Sequence, residues 1–307
     1  MFFFNFQLNL QNKCYRIYVV GFRKNFCKDF WEKMTNHLVD FHVHTDNSYD
    51  GNHSATFICE KAEFNNLRAI AFTDHCEVDR CIKDYAHERA VFQTFFEISK
   101  VKSAFRGKIL VLNGIELGQP NYAPEIASRI LDSQKFDVVL GSIHNLRNGF
   151  DPYYGESFTE QETKDFMNEY FDEMINLCKW GDFDVLAHLT YPLRYFFAKS
   201  GILVNLNDYK NQVDEILRLT AKKDKALEIN SAGLRQKLGR LQPETDIVKR
   251  FKELGGKFIS VGSDAHYADD LAKGITEAYR SAFDAGFDSI TLFQNRSPIQ
   301  MKITEEN

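Results

Sequence analysis

The sequence predicts an α/β barrel built from parallel strands, and three observations carry that prediction. Short apolar runs alternate with longer stretches of helical spacing from His37 onward, the pattern of βα units on a parallel sheet. About seven or eight such units fit into roughly 270 residues, which favours a closed barrel over an open sheet. Finally, run after run ends in a polar side chain of the His, Asp or Glu type. In a barrel these ends share one face, where active sites are built.

The expected elements follow in order. Leu38 to Val43 is a short strand, and Ser54 caps a helix from Ala55 to Asn65. Ala69 to Thr73 is the next strand, followed by helical spacing from Asp84 to Phe105. Ile109 to Ile115 reads as a buried strand, Pro124 to Leu131 as a helix and Phe136 to Ile143 as a strand. Thr159 to Lys179 is a long amphipathic helix with a cap at its start. Phe183 to Ala187 is a strand, Leu206 to Ala221 a helix and Ala226 to Ile229 a strand. Pro243 to Leu254 is a helix opened by its proline. Lys257 to Val261 is a strand, and Asp269 to Ala285 a helix. Ile290 to Phe293 and Ile299 to Ile303 are expected as short closing strands. No internal repeat or Pro/Gly/Ser-rich linker divides the chain, so residues 37–307 are read as one domain.

Composition narrows the function classes. The chain has 307 residues, 44% hydrophobic and 26% charged, with a net charge of -5. No basic run supports nucleic-acid binding, and no apolar run reaches the ~18 residues a membrane span needs. The six cysteines are scattered without a C-x-x-C pair, which fits a reducing cytoplasm better than a disulfide framework. Residues 1–36 lack barrel periodicity and have no cation ahead of the aromatic stretch that opens them, unlike a secretory signal. This extension is expected to be disordered or not native, with translation starting at Met34.

The strand ends supply an ordered set of metal-binding side chains: His42 and His44, then Asp74-His75, Glu116, His144, His188, and Asp264 with His266. A lone histidine at a strand end is usually a satisfied polar residue, and His37 and His87 are set aside on that ground. Repetition at six strand ends is harder to produce without a function. His42 and His44 stand two residues apart and point to the same side of a strand. The same holds for Asp264 and His266 if the strand stays extended. Imidazole with carboxylate suits zinc, iron or manganese, and the set exceeds what one tetrahedral ion needs. Two or three ions sharing a carboxylate would use it, and Glu116 is the natural bridge.

This ordered set resembles the polymerase and histidinol phosphatase family, the PHP domain. Its four motifs are similar to Asp40-Phe41-His42-Val43-His44-Thr45, Thr73-Asp74-His75, Gly141-Ser142-Ile143-His144 and Gly262-Ser263-Asp264-Ala265-His266. The resemblance covers residues 37–303 and implies a distorted (β/α)7 barrel. It implies a first metal on His42, His44, Glu116 and Asp264, a second on Glu116, His144 and His188, and a third on Asp50, His75 and His266. Many members have histidine where this chain has Asp50. Glu228-Ile229-Asn230-Ser231-Ala232-Gly233-Leu234-Arg235 and His188-Leu189 with Pro192 and Arg194 are similar to segments of the histidinol-phosphatase branch. There the arginines of these two loops hold the substrate phosphate, which carries over to Arg194 and Arg235.

The resemblance implies hydrolysis of L-histidinol phosphate to L-histidinol and phosphate, in histidine biosynthesis. Water is activated by the ions, Arg194 and Arg235 offset phosphate charge, and Asp264 or His266 protonates the leaving oxygen. Asp74 is expected to orient a ligand from behind. Motifs for cysteinyl-phosphate, aspartyl-phosphate and P-loop chemistry are absent. Two alternatives stay open: a PHP-type esterase for nucleotides, oligonucleotides or another small phosphate ester, and a non-catalytic metal-binding interaction module.

Overall fold

The computed structural model of the chain describes residues 38–303; the expectations for the N-terminal extension and for Met34 lie outside them. Seven parallel strands follow one another around a nearly closed barrel: β1 (Val39–Val43), β2 (Ala69–Phe72), β4 (Leu110–Gly118), β5 (Val138–Ser142), β6 (Val185–Leu186), β7 (Ala226–Asn230) and β8 (Phe258–Gly262). An additional short strand, β3 (His75–Glu77), pairs with the far end of β4. The ring closes between β1 and the loop after β8. His44 N–H donates to Ala265 O at 3.0 Å, and Asp264 N–H to His42 O at 2.8 Å. The distorted seven-stranded barrel expected from the sequence is therefore the fold observed.

The strands are buried on both faces because one face lines the barrel and the other is covered by helices, and the polar side chains they carry, Asp40, His42, Glu116 and Glu228 among them, are buried with them. The helices are α1 (Ala55–Phe64), α2 (Val78–Cys81), α3 (Ala86–Ala104), α4 (Pro124–Ser133), α5 (Glu160–Trp180), α6 (Leu193–Ser200), α7 (Lys210–Lys222), α8 (Thr245–Glu253) and α9 (Ile275–Asp284). Two caps foreseen in the sequence are present. Ser54 Oγ accepts from Phe57 N, and Thr159 forms a reciprocal capping box with Glu162. The main core joins the inner strand faces to Phe166, Phe171, Phe196 and Phe251 from the surrounding helices.

Four expectations need correction. Pro243 does not open a helix: Gln242 pairs with Asn230 in an isolated bridge, which keeps the chain extended there, and α8 begins only at Thr245. The helix expected from Asp269 to Ala285 is cut by Ala272 (φ 61°) and Gly274 (φ 82°), whose left-handed backbone no helix accepts. The last two strands, β9 (Ser289–Gln294) and β10 (Ser297–Lys302), do not close the barrel; they form a separate antiparallel hairpin. Arg296 in its turn donates to Asp137 O at 2.8 Å and pairs with Asp184 at 3.1 Å. Both aspartates precede their strands, so the hairpin is pinned at the barrel end opposite the strand C-termini. Lastly, Arg194 lies in the first turn of α6 rather than in a loop.

Candidate metal centre

The nine residues expected to hold metal are brought into one cluster at the C-terminal mouth of the barrel. Glu116 occupies its centre, fully buried near the C-terminal end of β4. Its Oε1 faces His144 Nε2 at 3.0 Å and His188 Nε2 at 2.8 Å. Its Oε2 faces His42 Nε2 at 3.2 Å, His44 Nε2 at 3.6 Å and His75 Nδ1 at 2.9 Å. The two oxygens of one carboxylate thus serve two different groups of imidazoles. Asp264 Oδ1 adds to the second group, 3.4 Å from His44 Nε2 and 3.8 Å from His42 Nε2. A third group lies beside it: His75 Nε2 is 3.4 Å from His266 Nε2, and Asp50 lies 3.7 Å from the first and 3.3 Å from the second.

Local backbone explains how short strands deliver these side chains. The register sets His75 opposite Glu116, so β3 brings its histidine directly to the central carboxylate. His188 (φ 20°) and Asp264 (φ 55°) both adopt positive φ, a conformation that costs a non-glycine residue of order 1–3 kcal/mol. The chain turns sharply at each, re-aiming the side chain into the mouth. For Asp264 this corrects the simple extended-strand picture: β8 ends at Gly262. Asp264 then faces His42 and His44 while His266 faces His75 and Asp50. Gly262 is required here, because a Cβ would lie 2.3 Å from His42 Cβ and 2.5 Å from Glu228 Oε1.

The donor set fits metal ions. Ligands about 2.0–2.1 Å from a tetrahedral ion lie roughly 3.3 Å from one another. The observed spacings include His144 to His188 at 3.5 Å, His75 to His266 at 3.4 Å and His44 to Asp264 at 3.4 Å. His44 Nε2 and Asp50 Oδ1 are buried with no hydrogen-bond partner, a costly state unless another group satisfies them. Four carboxylates, Glu77, Glu116, Glu228 and Asp264, are buried beside one buried guanidinium, that of Arg194. So many buried anions call for cations.

The electrostatics follow from these contacts. Burial opposes ionisation of Glu116, but the rings of His42, His144 and His75 outweigh it and hold the carboxyl well below its ordinary range. Asp264 is likewise held low, against its burial, by His42, His44, His266 and Arg194. Burial, reinforced by the neighbouring His266 and His75, keeps His44 in the neutral form that a metal needs. Burial likewise keeps His188 neutral.

The structure adds two acids that the motifs did not single out. Glu228 Oε1 lies 2.7 Å from His42 Nδ1, and Glu77 Oε1 lies 2.9 Å from His144 Nδ1. Each carboxylate sits behind a histidine and fixes which nitrogen faces the centre. Despite their burial, both histidines are pushed towards the protonated form, chiefly by these two acids. Glu77 itself is lowered to about 2, against its burial, mainly by His144. A signal for Glu77 was available: it follows His75 by two positions on a strand and so shares its face. Asp74 has the orienting place expected of it. It accepts from Thr45, Ser48 and Thr94, and Ser48 Oγ in turn lies 3.2 Å from His44 Nδ1.

Replacing Glu228 by Gln is expected to weaken metal affinity about ten- to a hundredfold, the usual cost of losing a carboxylate behind a ligating histidine. Chelator competition on zinc-loaded protein reads this; unchanged affinity would show that His42 does not depend on Glu228.

Above the cluster lies a pocket of about 370 Å³, lined by His75, His144, His188, Asp264 and His266 on its floor and by Arg194 and Arg235 on one side. Arg194 is buried, 3.3 Å from Asp264 Oδ2 and stacked over Tyr191. Arg235 donates to Ser263 O at 2.7 Å and lies 3.6 Å from Asp270.

Comparison with known proteins agrees with this geometry. The PHP domain matches residues 40–232, more than half of the chain. A protein of Clostridium acetobutylicum named "Probable histidinol-phosphatase" is 32% identical over 249 residues, 80% of this chain and 92% of that one. The histidinol-phosphatase of Lactococcus lactis subsp. lactis is 29% identical over 259 residues, 83% and 94% of the two chains. The fold matches the crystal structure of a histidinol phosphate phosphatase from the same organism, complexed with zinc, L-histidinol and phosphate. That match has a TM-score of 0.70 at 24% identity and covers 85% of this chain and 98% of the other. The chain belongs to the PHP-domain family.

Proposed function

We propose that the chain is a metal-dependent phosphomonoesterase that hydrolyses L-histidinol phosphate to L-histidinol and phosphate. The observation that carries this reading is the division of Glu116, one oxygen towards His144 and His188 and the other towards His42, His44 and His75, directly beneath a pocket lined by two arginines. The names of the relatives support the choice of substrate.

His42, His44, Glu116 and Asp264 would hold one ion, Glu116, His144 and His188 a second, and Asp50, His75 and His266 a third; zinc, iron and manganese all suit this donor set. Such ions lower the pKa of water and neutralise phosphoryl charge. The protein's own part is positioning. Arg194 and Arg235 hold the phosphate in the pocket, Arg194 offering a planar guanidinium with an unpartnered Nε. Glu228 and Glu77 keep His42 and His144 turned towards the centre. Water adds to phosphorus, the ester P–O bond breaks, and the leaving alkoxide takes up a proton. Asp264 and His266 line the pocket floor, and we assign them to that proton exchange: Asp264, held ionised, takes up the proton of the attacking water, and that proton is returned to the leaving oxygen by Asp264 or through His266. Among the described residues no helix is long and apolar enough to cross a membrane.

Two measurements test the reading. Phosphate release should favour L-histidinol phosphate over nucleoside monophosphates; a wide preference for a nucleotide overturns the substrate assignment. Metal analysis of reconstituted protein should find two or three ions per chain, and fewer than two would overturn the multinuclear centre.

A further inference from the structure

An ester of L-histidinol carries, besides its phosphate, a primary ammonium that is charged at neutral pH. A pocket built to select it needs a carboxylate that the protein itself leaves uncompensated. Four acids line the pocket: Asp50, Asp151, Asp264 and Asp270. Three have cationic or imidazole partners. Asp50 pairs with His75 and His266, Asp264 with His42, His44, His266 and Arg194, and Asp270 with Arg235 and Lys273. Asp151 makes no ion pair among the described residues.

Its surroundings are built to hold it in that state. Asp151 lies in the segment between β5 and α5, where its Oδ1 accepts from Tyr153 N–H at 2.8 Å and from Tyr191 O–H at 3.3 Å. The cation that could have reached it, Lys199, donates instead to the carbonyls of Pro152, Tyr153 and Gly155. That lysine clamps the segment onto α6 and spends its donors there. The Tyr191 ring spans the gap to the metal centre, 5.1 Å from the His144 ring and 5.2 Å from the His188 ring. Asp151 therefore stands one aromatic ring away from the place where the phosphate is expected. Tyr195 and Tyr153 continue this wall outward, 5.1 Å from Tyr191 and 5.7 Å from Tyr195 respectively. Aromatic faces favour a nearby cation. Burial also lifts the Asp151 carboxyl above its ordinary range, which its partners only partly oppose; an arriving cation relieves that cost.

We propose that Asp151 is a specificity-determining residue that receives the substrate's ammonium group, so that the site selects phosphate monoesters carrying an amine beside the ester carbon. This rests on the reading of the site as a histidinol-phosphate phosphatase.

The test uses the full-length, zinc-loaded protein and its Asp151→Asn variant. Asparagine keeps the Oδ1 acceptor for Tyr153 and Tyr191 and removes only the charge. Steady-state kinetics compare L-histidinol phosphate with its des-amino analogue, 3-(imidazol-4-yl)propyl phosphate. The wild-type protein is expected to favour the amine by roughly ten- to a hundredfold in kcat/KM, the contribution of one charged hydrogen bond. In the variant this ratio should fall close to one, chiefly through KM for the amino substrate. A ratio retained in the variant overturns the proposal, as does an equal loss on both substrates, which would mark a structural role. Wild-type protein that hydrolyses 4-nitrophenyl phosphate but neither imidazole substrate overturns the substrate reading itself, and this proposal with it.

Discussion

Glu116→Gln is expected to abolish turnover, with a loss of about a thousandfold or more, while the fold stays intact. Both oxygens of Glu116 are committed to imidazoles, Oε1 to His144 and His188 and Oε2 to His42, His44 and His75. An amide keeps the shape but loses the charge and turns an NH2 donor towards one of the two groups. That group can no longer share a cation with the residue. The charge stabilisation forfeited is several kcal/mol, and each ~1.4 kcal/mol is a factor of ten in rate. The fold should survive because the backbone pairing is unaffected: Glu116 N–H still donates to Asp74 O at 3.1 Å. Turnover, metal content and a thermal melt on the same preparation check this. Near-normal activity would show that Glu116 is not the bridge.

Removal of the pocket arginines should lower kcat/KM on L-histidinol phosphate about ten- to a hundredfold each, since a charged hydrogen bond contributes ~1.5–3 kcal/mol. The two are not equivalent. Arg235 already spends its Nη2 on the carbonyls of Ser263 and Asp264 and has Asp270 beside its Nε. Arg194 has a buried Nε without a partner, and its charge faces Asp264 at 3.3 Å. Arg194→Ala is therefore expected to give the larger loss. Truncation also removes the guanidinium charge from beside Asp264, so Arg194→Lys, which keeps the charge but not the planar fork, separates the two effects. It should recover part of the rate. Metal content should be unchanged in Arg235→Ala. Wild-type kinetics in both alanine variants would overturn the phosphate clamp.

The sequence by itself determined the order of the seven barrel strands and of the longer helices, and most of the cluster; β3, α2 and α6 were not read from it. Barrel strands are encoded by local apolar runs, and a ligand at the end of such a run is visible because His or Asp is out of place there. Hence His42, His44, His75, Glu116, His144, His188, Asp264 and His266 could be read in order, and Ser54 and Thr159 betrayed their caps. The breaks in the last long helix were less legible, since only the left-handed backbone at Ala272 and Gly274 announces them.

Tertiary structure decided what connects these residues. His42 and Glu228 stand 186 positions apart and meet at 2.7 Å only because the barrel brings β1 and β7 together. Glu77 gains its place behind His144 in the same way, through the pairing of β3 with β4. The division of Glu116 between two groups of histidines, the turns at His188 and Asp264, and the unpaired carboxylate of Asp151 all arise from packing across distant segments. Apart from the two-residue spacing of His75 and Glu77, no local pattern records such contacts, because the free energy that fixes them is released only when the strands close into a ring.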